Sequence, residues 1–161
     1  MTAASLAASI RDGAAMKVTL ADDLADRIRR HAEQSYPFEA CGLLSGTRHT
    51  DGTVTLSGVH ESANVTERDR RTGFEVDPKL RFDLMRALEA QNDGTAIIGH
   101  YHSHPDHPGE PSGTDLSMVY EPAFIWLICA STPNGADAIG AFRANTDISG
   151  FDRLEIKLNA G

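Results

Sequence analysis

Apolar residues recur along this chain with two periods. Leu20, Leu24 and Ile28 stand at i, i+4 and i+8, one stripe of a helix predicted from about Ala21 to Gln34 behind a short strand, Lys17 to Leu20. Leu80, Leu84 and Leu88 repeat that spacing, with Met85 beside them, so this second face reads as core. Asp77 would cap the second helix, Pro78 would start it, and Asn92–Asp93–Gly94 would end it near Gln91. Between the helices, Phe38–Ser45 and Val54–Val59 are β-favouring runs joined across Asp51–Gly52, which predicts a hairpin. Phe74–Glu75–Val76 alternates as a short strand would. Thr95–Tyr101, Ala123–Ala130 with Trp126 inside, Ala136–Arg143 and Phe151–Leu158 supply four more strands. A short helix through Leu116 and Met118 opens after Pro111 and closes at Pro122. The order is β-α-β-β-β-α-β-α-β-β-β, an α/β protein with a mixed sheet and helices on its faces.

At 161 residues the chain is long enough for one domain with a substantial core. Residues 1–15, MTAASLAASIRDGAA, are alanine-rich, lack a basic start and are interrupted by Arg11 and Asp12. They read as a loosely ordered arm before a domain over 16–161, not as a signal peptide, and Met16 is an alternative start. No apolar run approaches the roughly 18 residues of a membrane span. A net charge of −8 opposes nucleic-acid binding, which requires a basic face to neutralise phosphates. The two cysteines, Cys41 and Cys129, cannot form a disulfide framework; both lie in apolar runs and are expected as buried thiols in a cytoplasmic protein. The polar stretch 61–73 clusters Arg68, Arg70 and Arg71, either as solvated surface or as a docking loop for an acidic partner or its C-terminal tail.

The chemistry concentrates in Gly99–Asp115, GHYHSHPDHPGEPSGTD. Strand alternation points His102 and His104 to one side, and Asp115 follows one proline-rich loop later. Two imidazoles and a carboxylate are donors that zinc takes, and a catalytic zinc keeps three protein ligands with one position open. His100 shares the histidine parity and is a rival ligand on the residues alone. His107 reads as solvent-exposed, while Asp106 and Glu110 are loop acids that could shape access. By local pattern Ser112 is a helix N-cap and Glu39 an exposed glutamate at a strand start.

The run His102-x-His104, Ser112 and Asp115, with Glu39 upstream in Tyr36–Pro37–Phe38–Glu39–Ala40–Cys41–Gly42–Leu43–Leu44, resembles the signature of the JAMM (MPN-plus, Mov34) metallopeptidases. The likeness spans about Lys17 to Leu158 and is greatest to the small single-domain bacterial branch. It implies an α-β-α sandwich around a mixed, curved sheet, JAMM/MPN-like and cytidine-deaminase-like. It also implies one Zn2+ per chain on His102, His104 and Asp115, with Glu39 as the general base for the zinc's water and Ser112 stabilising the oxyanion. The implied reaction is hydrolysis of the amide or isopeptide bond after the C-terminal glycine of a ubiquitin-like or sulfur-carrier protein. The implied setting is sulfur-carrier processing or deconjugation within a ubiquitin-like modification system. Eukaryotic polyubiquitin-specific members are less similar, because LSMVYEPAF after Asp115 returns too quickly to a buried strand to hold their insertion. A non-catalytic MPN-type scaffold is the alternative, and it is disfavoured because all five signature positions are present. A His-Glu-x-x-His protease is excluded: His60–Glu61 is followed at the fifth position by Asn64.

Overall fold

Local signals place most of the elements. The structure, a computed structural model, describes residues 10–160. In chain order these form β1 (Ile10–Ala21), α1 (Asp22–Ser35), β2 (Cys41–Arg48), β3 (Val54–Ser62), α2 (Pro78–Gln91), β4 (Ala96–Pro105), α3 (Gly113–Ser117), β5 (Ile125–Thr132), β6 (Gly135–Ala144) and β7 (Phe151–Asn159). Asp22 and Asp23 sit in the first turn of α1, where carboxylates favour the positive end of the helix dipole. The α2 helix starts as its sequence dictates: the Asp77 side chain accepts from Lys79 N–H and Pro78 occupies the first turn. It ends at Asn92, whose left-handed φ of 52° suits an αL cap, with its N–H on Leu88 C=O.

The seven strands run β1-β3-β2-β4-β5-β6-β7 and close into a barrel. The sheet is mixed: β1 pairs in parallel with β3 and β7, β4 with β5 likewise, and the other neighbours are antiparallel. The predicted hairpin is present as β2–β3, with Cys41 opposite Ser62. Closure corrects the expected α-β-α sandwich. An open sheet leaves unpaired N–H and C=O groups along both edges, and here β1 and β7, the two edges, pair with each other instead. That pairing also explains why β1 begins at Ile10 rather than Lys17, since Ile10 to Asp12 register against Phe151 to Arg153. Of the arm expected over 1–15, residues 10–15 therefore belong to this strand, and residues 1–9 lie outside the described residues.

Two apolar clusters flank the sheet. All seven strands contribute to the first, and α1 adds Ala25, Ile28 and Ala32, each no more than 1% exposed. The buried stripe of α1 is thus Ala25–Ile28–Ala32; Leu24 is only partly buried and Leu20 belongs to β1. The second cluster lies on the opposite face, with Cys41, Leu43, Phe74, Trp126 and Phe142, and takes Leu80 and Leu84 from α2. Met85, expected on that face, is instead 44% exposed, because α2 packs on the sheet mainly along β4. Phe74–Glu75–Val76 is not a strand; it makes a single bridge, Asn64 to Val76. Among the described residues no helix is long and apolar enough to cross a membrane.

Candidate metal centre and active site

The histidines lie in β4 itself, which runs on to Pro105 because β5 pairs with it in parallel, His102 opposite Ile128 and His104 opposite Ala130. Alternation brings both rings to the face of Cys41, which is the antiparallel partner of His102. Both are buried, at 0% and 8% exposure. Their Nε2 atoms stand 3.0 Å apart. Asp115 bridges them, with Oδ1 3.2 Å from His102 Nε2 and Oδ2 3.1 Å from His104 Nε2. Tetrahedral ligands of one zinc, each about 2.0–2.1 Å from the ion, are about 3.3 Å from one another, so the three side chains already hold ligand spacing.

The proton arrangement supports the same donor set. His104 Nδ1 lies 2.9 Å from the Pro108 carbonyl, an acceptor only, so Nδ1 carries the proton and Nε2 presents its lone pair to the cluster. A lone pair aimed at a second imidazole nitrogen and a buried carboxylate calls for a cation between them. Burial alone would raise the Asp115 carboxyl; with protons on the two Nε2 atoms, the charge and hydrogen bonds of His102 and His104 outweigh it and hold the group well below the usual carboxylate range, the part a metal cation would take over from those protons.

Asp115 is aimed by the start of its own helix. Ser112 caps α3: its Oγ accepts Asp115 N–H at 3.1 Å, while Asp115 Oδ2 accepts Ser112 N–H at 2.9 Å. This capping box fixes the carboxylate one turn from the cap, facing back toward β4. With Oγ used as an acceptor, the Ser112 hydroxyl keeps its proton to donate.

Glu39 flanks the imidazoles as well. It is 5% exposed, and one carboxylate oxygen forms with the two histidines a group whose ligand atoms all lie within 4.8 Å of one another. Burial pushes its carboxyl up to about 8, with His104 opposing and Asp115 adding to the rise. It stands two residues before β2, so no strand ladder holds it. Its N–H donates instead to Arg70 C=O at 2.7 Å, and its C=O accepts from Asn64 Nδ2 at 3.2 Å. The next residue is pinned to β4: Ala40 N–H donates to Ser103 Oγ at 2.8 Å, and Ser103 N–H to Ala40 C=O at 3.0 Å.

All five signature residues, Glu39, His102, His104, Ser112 and Asp115, thus come to one place. His100 does not join them; its ring packs on Trp126 at 4.2 Å, and burial drives its imidazole down to about 3. His107 is exposed, Asp106 accepts from Tyr36, and Glu110 pairs with Arg153 at 3.2 Å. Arg70 places its guanidinium 4.8 Å from the Phe38 ring centroid and Arg71 lies at 6.0 Å. Phe74 stacks on His102 at 4.3 Å and 18°, walling the centre on one side. Beyond it a cleft of about 420 Å³ opens between the 66–75 segment and α3, with Thr114 and Met118 in its lining. Sequence reading missed Ser103, Asn64 and Phe74. Only Ser103 had a usable signal: its parity, opposite to the histidines, turns it away from them.

Residues 21–144 match the family model described as prokaryotic homologs of the JAB domain. The chain is 32% identical over 123 residues to a protein named desampylase from Haloferax volcanii, covering 74% of this chain and 83% of the relative. It is 29% identical over 122 residues to a CysO-cysteine peptidase of Mycobacterium tuberculosis, covering 76% and 79%. A probable TtuB-protein conjugate cleaving protease of Thermus thermophilus is 31% identical over 93 residues, 58% of this chain and 57% of that one. A solution structure from Salinibacter ruber superposes with a TM-score of 0.67 at 35% identity, covering 89% of this chain and 92% of that one. The clustered histidines and these matches agree, and the chain belongs to the prokaryotic homologs of the JAB domain, the small prokaryotic side of the JAMM/MPN family.

Proposed function

We propose that this protein is a zinc-dependent peptidase and isopeptidase that hydrolyses the bond after the C-terminal glycine of a ubiquitin-like or sulfur-carrier protein. The observation that carries the reading is the bridging of two buried imidazoles by Asp115 with a second carboxylate, Glu39, beside them. His102, His104 and Asp115 are the residues that would hold the metal. When bound there, zinc would supply Lewis acidity, to polarise a carbonyl and to lower the pKa of a water to about 7.

Glu39 takes the proton of the attacking water at its carboxylate and returns it to the leaving amine. Burial raises the Glu39 carboxyl to about 8, and a zinc ion beside it would oppose that rise and favour the carboxylate that accepts the proton. Ser112 donates its hydroxyl proton to the oxyanion that forms when the carbonyl is attacked. The division of labour between the carboxylates follows from their places: Asp115, which bridges both imidazoles, is the ligand, and Glu39, beside them, is the base.

The substrate class draws on the relatives, one named for a CysO–cysteine linkage and one for cleaving TtuB–protein conjugates. The test is incubation of zinc-loaded protein with ubiquitin-like proteins extended beyond their terminal glycine, with the products weighed by mass spectrometry. Cleavage directly after the glycine is expected. No cleavage of any such fusion at full zinc occupancy would return the chain to a non-catalytic MPN-type scaffold.

A further inference from the structure

We propose that Asn64 positions Glu39 for proton transfer. This rests on the reading of Glu39 as the base. Asn64 is half-buried, and its amide uses its whole hydrogen-bonding capacity. Nδ2 donates to Glu39 C=O at 3.2 Å and to Gly73 C=O at 3.0 Å. Oδ1 accepts from Thr66 N–H at 3.2 Å and from Glu75 N–H at 3.1 Å.

Those four bonds have one joint effect. Thr66 and Gly73–Glu75 are the two ends of the segment that carries Arg70, so a single side chain closes this segment and ties it to Glu39. Arg70 C=O then takes Glu39 N–H at 2.7 Å. Both main-chain groups of Glu39, which would otherwise face open space two residues ahead of β2, are therefore held by the segment that Asn64 closes. Ser103 secures only the next residue, Ala40. Rotation of the Glu39 backbone swings its carboxylate across the metal centre, and a displacement of about 1 Å costs on the order of 100-fold in rate. Asn64 touches neither the histidines nor Asp115 through any of these bonds; its bonds to Gly73 and Glu75 do flank Phe74, which stacks on His102, and the zinc content of the variants reports that second route separately from Glu39.

Asn64→Asp tests the donated bonds, and Asn64→Ser, measured alongside, removes them without adding a charge. Asn64→Asp keeps the acceptor side toward Thr66 and Glu75 and removes both donated bonds, to Glu39 and to Gly73. Steady-state kinetics on a glycine-terminated ubiquitin-like fusion would be measured for wild type, Asn64→Asp, Glu39→Gln and the double variant, with zinc content and melting temperature alongside. Asn64→Asp is expected to lower kcat about 10- to 100-fold with KM within about twofold and zinc unchanged. In the Glu39→Gln background the same change is expected to alter the residual rate by less than about twofold, because the group it positions is gone. Equal losses in both backgrounds, or a raised KM at unchanged kcat, would overturn the proposal. Asn64→Ser, whose shorter hydroxyl does not reach the two carbonyls, is expected to show the same kcat-only loss with zinc unchanged, and it serves alone should Asn64→Asp not fold. Wild-type kcat in either variant beside an inactive Glu39→Gln sinks this inference and leaves the peptidase reading standing. Full activity in Glu39→Gln sinks the reading itself.

Discussion

The Tyr36 hydroxyl lies 2.9 and 2.7 Å from the two carboxylate oxygens of Asp106. It ties the residue three before Glu39 to the residue two after His104, so the Glu39 and His104 segments are joined through a clamp as well as through Ser103. Asp106 takes a left-handed φ of 60°, and its N–H is anchored on Ser131 C=O at 2.7 Å. Tyr36→Phe is expected to lower kcat/KM about two- to fivefold without changing zinc content. Asp106→Ala should cost the same, and the double variant no more than either, since both remove one contact. Multiplying losses would dissociate the pair.

Asp115 bridges His102 and His104 and also closes the capping box at the start of α3. Asp115→Asn keeps an oxygen for Ser112 N–H but removes the charge between the imidazoles. It is expected to lower zinc affinity at least about tenfold while the fold persists. Asp115→Ala removes the capping bond too and should cost about 1 kcal/mol more in unfolding of the metal-free protein. Wild-type zinc content in dialysed Asp115→Asn would remove it from the ligand set.

Gly99 allows β4 and β5 to approach ahead of the histidines. A Cβ there would strike the Ile125 main chain, which has no side-chain freedom to give way. Gly99→Ala is expected to destabilise the protein by about 3 kcal/mol, read by denaturant unfolding, and to lower zinc affinity through the displaced strand. An unchanged unfolding midpoint would contradict the close packing of this pair.

Burial pushes both thiols, Cys41 and Cys129, up to about 12. The reactive thiolate is therefore scarce in the native state. An aromatic disulfide reagent at mildly alkaline pH should leave the native protein unmodified and titrate two thiols after denaturation. Rapid modification of the native protein would place a cysteine at the surface.

The residues whose roles are set by local rules were legible in the sequence. Parity along one strand puts His102 beside His104, and the spacing from Ser112 to Asp115 is that of a cap and its third helical residue. Barrel closure was not legible, because β1 and β7 pair across more than a hundred intervening residues and the stretch Arg11–Ala15 carries no β-favouring alternation. Helical spacing put Met85 beside the leucine stripe but could not tell how narrow the contact of α2 with β4 would be. Asn64 and Tyr36 were invisible for a different reason. They act on main-chain groups and a loop carboxylate in other segments, and no periodicity reports such bonds.

Glu39 stands beside His102 and His104, a place that suits a general base and a metal ligand alike. The direct measurement is zinc per chain together with turnover for Glu39→Gln. The expected result is wild-type zinc content with kcat lowered at least about 100-fold. Loss of the metal along with activity would make Glu39 a ligand, and cleavage at the wild-type rate would remove it from the chemistry.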